Sequence, residues 1–417
     1  MTKRIIAIAF IFACTSIAWV ILGGTLFART YDSGSTSSSR VESTWGTQQN
    51  QAPPSATFVT KTSKQQETIE NGKKVVKTVE EEHITALPLL GSTIDVDLDL
   101  EHRQKGLLWY STYKVVFAGT YLFTNSTNQE QSVTFTLPFP TSQAIYDDLT
   151  FAVDGNTVEL VNANGAANGT TKLAAGKTVQ LKVGYRSQGL NEWRYNFGQG
   201  NVAQVRDFTL RMKTNFKDID FPDNSLSPST KGETDKGWNL AWSYKNLLSG
   251  YQIAMVMPEK LQPGPLAGRI SFFAPVSLFF FFFLMLIITT MRGIDLHPMN
   301  YFFLAAAFFS FHLLLAYLVD HVSIHAAFAI SSAVSVFLVV SYLRLVVGTR
   351  FATREAALTQ FIYLVVFSYA FFLKGFTGLA ITVGSILTLF VVMQVTGRIR
   401  WTDKFGVKPS EPIPDAS

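Results

Sequence analysis

The chain has 417 residues, of which 47% are hydrophobic, 16% charged and 13% aromatic, with 35 Phe. Soluble domains average about a quarter charged, and here the apolar residues crowd the N-terminus and the region after Ser271, so the composition points to a membrane protein with one large polar insert. The net charge of +5 is spread without an aromatic-interleaved basic patch, so no nucleic-acid partner is expected, and Cys14 alone excludes an intrachain disulfide.

In chain order, the first element is the apolar run Ile5–Phe27, preceded by Lys3 and Arg4. As a helix it is about 34 Å long, enough to cross a bilayer. Bulky Phe12 ahead of Cys14, and the lack of a small residue three before a cut in "TLFA" (Thr25–Ala28), argue for an uncleaved anchor over residues 1–28. Residues 29–60 are rich in Ser, Thr and Gln, have little to bury, and are expected to form a disordered tether.

Residues 61–265 read as a β-rich domain. Two extended runs flank Asn71-Gly72, a hairpin signal. Val133, Phe135 and Leu137 alternate with polar residues, as do Val179, Leu181, Val183 and Tyr185, and again Phe208, Leu210 and Met212. That period of two describes an antiparallel sheet over a core, so an all-β, sandwich-like fold is expected, with "NANGAANG" (162–169) and "AAGK" (174–177) as turns. "DVDLDLE" from Asp95 begins like a calcium loop, but Leu100 and Gly106 stand where such a loop needs Gly and Glu. The Asp residues alternate with Ile94, Val96 and Leu98, which describes a strand with a solvated acidic face. "GQGNVA" (198–203) has the letters of a dinucleotide fingerprint but is followed by a strand pattern where that motif opens a helix. "NST" at Asn125 and "NGT" at Asn168 match the glycosylation acceptor pattern, which matters only in a eukaryote. No Walker A, G-x-S-x-G, H-E-x-x-H or C-x-x-C motif occurs, and no cofactor is implied.

Five more spans follow, over about 270–291, 298–319, 324–347, 356–373 and 376–396, with 266–397 as a five-helix membrane domain and 398–417 as a cytoplasmic tail. Pro275 should kink or start the second span, and the preceding "PGPLAGRI" (263–270) should be an interfacial elbow. With the N-terminus in the cytoplasm, every cytoplasmic loop is basic (Lys3, Arg4, Arg292, Arg350, Arg354, Arg398, Arg400), whereas the opposite short loops hold only Lys374. Both termini are therefore expected inside and residues of about 29–268 outside, with the β domain inserted between spans 1 and 2. Ser331 and Ser335 form a small-x-x-x-small pair on the fourth span.

Four of the six His lie in the membrane region. His297 precedes Pro298, and with Asp295 as a cap it marks a helix start. His312 lies inside the third span, where an ionisable group is a functional candidate by default, or a neutral ring bonded to a neighbouring helix. Asp320, His321 and His325 crowd the corner between the third and fourth spans. They read either as a polar corner with Ser323 capping the next helix and Asp320 serving loop amides, or, with His312, as a metal or proton-relay cluster at the outer membrane face.

The stretches "GWNLAWSYKNLLSGYQIAMVMP" (237–258), "RGIDLHPMNYFF" (292–303) and "FHLLLAYLVDH" (311–321), together with one span, a β insert and five spans, resemble the inner-membrane CreD family. The resemblance is firmest over about residues 231–347. It implies a bacterial inner-membrane location and an association with cell-envelope integrity, and supplies no reaction, ligand or catalytic residue. Two readings of function follow. One is a non-enzymatic envelope-integrity protein whose β domain binds an envelope protein or glycan. The other is a membrane-embedded metal-dependent enzyme or proton-coupled transporter using His312, Asp320, His321 and His325.

Overall fold

The computed structural model describes residues 2–70, 73–198 and 202–397. The chain divides into two compact units. One comprises residues up to Ser35, Gly106–Leu108 and the chain from Leu261 on; the other comprises Thr36–Lys105 and Trp109–Lys260.

Helix α1 spans Thr2–Trp45. The stretch expected to be a disordered tether is therefore helical through Trp45 and continues into strand, and the β-rich part begins near residue 49 rather than 61. The hydroxyls of this polar segment find partners inside the helix: Ser43 and Thr44 bond the Arg40 carbonyl at 3.0 and 2.8 Å, and Ser38 donates to Glu42 at 2.9 Å. Val41 is buried, and the Arg103 guanidinium lies 3.4 Å from the Trp45 ring centroid. Gly46 ends the helix with φ 85°, its N–H returning to the Glu42 carbonyl at 2.9 Å.

The strands are β1 (Gln49–Gln51), β2 (Ser55–Glu70), β3 (Lys73–Ala86), β4 (Leu89–Lys105), β5 (Leu108–Thr124), β6 (Gln131–Pro138), β7 (Asp147–Val153) and β8 (Asn156–Thr157). They continue as β9 (Leu160–Ala163), β10 (Ala166–Leu173), β11 (Thr178–Leu190), β12 (Glu192–Tyr195), β13 (Ala203–Thr214), β14 (Thr230–Glu233), β15 (Trp238–Ser249) and β16 (Ile253–Val256). They form an eight-stranded sheet (β14-β15-β13-β4-β5-β11-β7-β8), a five-stranded sheet (β3-β2-β6-β10-β9) and a three-stranded sheet (β1-β12-β16). The period-two readings hold: Val133, Phe135 and Leu137 are buried, as are Val179, Leu181, Val183, Tyr185, Phe208, Leu210 and Met212. Phe123 of β5 meets Phe135 of β6 edge-on at 5.6 Å, so the two larger sheets share one core. The sheets are not wholly antiparallel, because β13 pairs with β4, and β1 with β12, in parallel.

β2 and β3 form the expected hairpin, in register from Thr57↔Ala86 to Glu70↔Lys73; its turn, Asn71-Gly72, lies outside the described residues. "NANGAANG" is itself a hairpin: only Asn164 and Gly165, with φ 55° and 71°, make the turn, and their neighbours belong to β9 and β10. Asn125 is fully buried, its amide donating to the carbonyls of Gln129, Leu173 and Ala174, so in this fold the first acceptor sequence has no accessible nitrogen. Of "GQGNVA", Gln199–Asn201 lie outside the described residues, and β13 follows, as the strand pattern indicates.

Among the described residues six helices are long and apolar enough to cross a membrane: α1, α2 (Pro263–Arg292), α3 (Pro298–Leu318), α4 (Ile324–Val346), α5 (Thr349–Phe372) and α6 (Thr377–Thr396). "PGPLAGRI", expected to be an elbow, supplies the first turns of α2, where Pro263 fits because an N-terminal turn leaves its amides unbonded. Pro275 therefore falls inside the helix. α2 packs on α1 through glycine: a Cβ at Gly23 would stand 2.9 Å from the Phe272 ring. α5 carries two π turns, Ala352–Ala356 and Phe361–Val366. The tail, 398–417, lies outside the described residues.

Candidate functional site

His312 is fully buried on α3. Its Nδ1 lies 3.2 Å from the Phe308 carbonyl one turn back, and its ring is edge-on to Trp19 at 5.8 Å and to Phe311 at 4.8 Å. Among the described residues Nε2 has no hydrogen-bond partner, and neither has the Trp19 indole nitrogen. The ring is packed in aromatic side chains rather than bonded to another helix, and its Nε2 is one of several buried polar atoms of this unit without a partner among the described residues.

The corner residues go elsewhere. Asp320 accepts from Arg29 of α1 at 2.9 Å, and the same guanidinium reaches the Ala316 carbonyl at 3.3 Å and stands 5.6 Å over the Tyr317 ring. Asp320 therefore joins α1 to α3, where loop amides had been expected as its partners. His321 is exposed, its backbone N–H returning to Leu318 at 2.9 Å. The His325 ring lies against Phe372 of α5, tilted by 35° with centroids 5.1 Å apart. Among the described residues no group of three or more His, Cys, Asp or Glu is placed to hold a metal ion. Ser323 caps α4 as expected, accepting from Ala326 at 3.3 Å. His297 itself caps α3, Nδ1 accepting from the Met299 amide at 3.2 Å, while Asp295, the cap expected there, pairs with Arg4 at 2.7 Å.

Sequence reading missed the bonds that tie the spans together. Fully buried Gln360 of α5 donates to Ser335 at 2.9 Å, and Ser335 donates to the Ala307 carbonyl of α3 at 2.6 Å. Ser335 thus acts through its hydroxyl as well as its small size. The Gln360 Oε1 and, one turn from Ser335, the Ser331 hydroxyl have no partner. Tyr342 donates to Asn300 at 2.8 Å, and the Tyr363 and Thr388 hydroxyls lie 2.8 Å apart. A lone Gln in the apolar run of α5 was the available signal.

In the β unit, the solvated acidic face of β4 is confirmed: Asp95, Asp97 and Asp99 are exposed while Ile94, Val96 and Leu98 are buried. Parallel pairing opposes Asp95 to Arg211 and Asp97 to Lys213. Arg211 forks onto Asp95 at 2.6 and 2.8 Å, which raises the guanidinium above its ordinary pKa; Lys213 is 3.8 Å from Asp97, and Asn215 bonds Asp99. Lys114 of β5 donates to Glu101 at 2.6 Å, the main reason that carboxyl sits below its ordinary range. Two depressions of about 830 and 640 Å³ share Asp97, Val116 and Lys213 and so form one groove across the outer face of the eight-stranded sheet. The larger is lined by four carboxylates (Asp97, Asp99, Asp147, Asp235) and four cations (Lys114, Arg186, Lys213, Lys236), with Val116 and Ile145 as its exposed apolar surface. It is suited to a ligand carrying both signs of charge.

No curated protein matches the chain. Among solved structures, a Legionella pneumophila protein named for a conjectural nutrient-binding role is 11% identical, with 47% of this chain and 71% of that chain covered and a TM-score of 0.32. An M1 zinc metallopeptidase from Deinococcus radiodurans is 10% identical, with 41% of this chain and 42% of that chain covered and a TM-score of 0.22. At these values neither likeness carries an argument. Residues 266–402 match the family model described as inner membrane protein CreD. The match takes in two of the three stretches that carry the resemblance and leaves out the one at 237–258. The likeness to that family is therefore one of the membrane part, less than half of the chain.

Proposed function

We propose that this chain is a multi-pass protein of the bacterial cytoplasmic membrane that supports cell-envelope integrity without catalysing a reaction. Its β unit stands outside the cytoplasm between the first and second spans and holds an envelope protein or glycan. The basic residues of the short loops support the orientation. The observation that carries the binding role is the groove across the eight-stranded sheet, with charges of both signs around exposed Val116. A photo-crosslinking residue at Val116, in native membranes, should capture a discrete envelope component, and one at exposed Lys172 of β10 should not. Equal capture from both positions overturns the groove as the site. A reporter fused after Thr124 should be active outside the cytoplasm and one after Asp403 inside; a cytoplasmic signal at Thr124 inverts the topology.

The second reading, a metal-dependent enzyme or proton-coupled transporter, draws on the His312 Nε2 that no partner occupies. Its check is metal analysis of the purified protein. Stoichiometric zinc, lost when Asp320, His321 and His325 are changed to Ala, would favour it over the first.

A further inference from the structure

The five-stranded sheet ends in an arm. β2 pairs with β6 only from Ser55↔Thr136 to Phe58↔Val133, whereas its pairing with β3 continues to Glu70↔Lys73. Beyond Phe58 the hairpin therefore has no third strand. Both faces of its described side chains, Val59–Gln65 and Glu80–Ala86, are exposed, including Val59 and Ile84. An isolated two-stranded ribbon is marginal in water, and an open strand edge is a template for another strand. β3 is the outer strand of the sheet along its whole length, about 46 Å at 3.3 Å per residue.

The order of charges along β3 names the strand that fits. Its first half carries Lys73, Lys74 and Lys77, and its second half Glu80, Glu81 and Glu82. Among the described side chains of the arm these carboxylates meet two lysines of β2, Lys61 at 3.4 and 3.5 Å and Lys64 at 3.8 Å. A parallel copy of β3 would set like charge on like. An antiparallel copy sets the basic half against the acidic half, and two-fold symmetry makes each such pair twice. The register that opposes Lys73 to Glu82 also opposes Lys74 to Glu81 and Val76 to Val79. We infer that the β2–β3 arm is a self-association element, through which two copies of this chain join by antiparallel pairing of their β3 edges. This goes beyond the groove reading and stands or falls without it.

The test uses the full chain in native membranes, with Cys14→Ser so that no native thiol remains. Val76→Cys with Val79→Cys should give a disulfide-linked dimer on oxidation, and Val75→Cys with Val79→Cys, one position out of register, should give little. Changing Glu80, Glu81 and Glu82 to Lys should abolish the cross-linked dimer. Adding Lys73, Lys74 and Lys77 to Glu should restore it, which mere damage to the arm would not do. Monomer alone from the in-register pair, a dimer indifferent to the triple change, or failure of the six-fold exchange to restore it overturns the proposal.

Discussion

Changing Asp320 to Ala tests whether that carboxylate is a strut or part of a site. The pair it makes with Arg29 has side chains 37% and 32% exposed, so solvent screens it and its share of stability is about 0.2–1 kcal/mol. Arg29 keeps the Ala316 carbonyl and the Tyr317 ring after Asp320 is lost, the latter contributing about 0.5–1 kcal/mol. Asp320→Ala should therefore cost about 0.5 kcal/mol and Arg29→Ala about 1–2 kcal/mol. The double variant should cost less than their sum by about 0.5 kcal/mol, the coupling of the pair. Thermal unfolding of the four proteins in one detergent or nanodisc reads this as Tm shifts, at about 2–4 °C per kcal/mol for a unit of this size. His321→Ala and His325→Ala should show no coupling to Asp320, since one is exposed and the other lies on Phe372. Coupling of Asp320 to either histidine as large as that to Arg29, or none to Arg29, refutes the strut.

Two further outcomes are expected in the β unit. Trp242 and Trp193 are both fully buried, but only the Trp242 indole is bonded, donating to the Leu226 carbonyl at 2.8 Å. Trp242→Phe should thus cost about 0.5–1.5 kcal/mol more than Trp193→Phe in denaturant unfolding of the full chain, and the reverse order would contradict the bond's role. Burial raises the phenols of Tyr113, Tyr185 and Tyr195 well above their ordinary value and pushes Tyr146 up to about 12. Because the folded values are raised, their stabilisation is complete below the unfolded value near pH 10 and is lost as the pH climbs past it. Tyrosinate absorbance and loss of sheet circular dichroism should therefore rise together above pH 10, and buried phenols ionising near pH 10 with the sheets intact would refute this.

The β architecture was legible where one side of a strand faces water. In β4, β6, β11 and β13 the pleat sorts residues by face, and every apolar position named from alternation is buried. The parallel pairing of β13 with β4 was not legible, because alternation is the same in either direction. Residues 29–45 misled because Ser and Thr usually compete with helix; here their hydroxyls bond carbonyls of the same helix, which no composition count records. In the membrane unit the spans followed from hydropathy, but partners did not. Asp320 met Arg29, Asp295 met Arg4 and Ser335 met Gln360, each across 25 to 291 residues of chain. Nearness in sequence had suggested a cluster with His321 and His325, whereas a helix corner points successive residues outward in different directions.

The two π turns of α5 make that helix sensitive to residue number in an unusual way. A π turn holds one residue more than an α turn, so each behaves as a single-residue insertion absorbed inside a helix. Deleting one residue from Ala352–Ala356 would allow regular winding to return, at the cost of turning everything on one side of it by about 100°. Gln360, four positions beyond that segment, would leave Ser335. α5 can therefore lose a residue with little loss of length but not without losing its orientation, which makes phase, rather than span, what its sequence has to preserve.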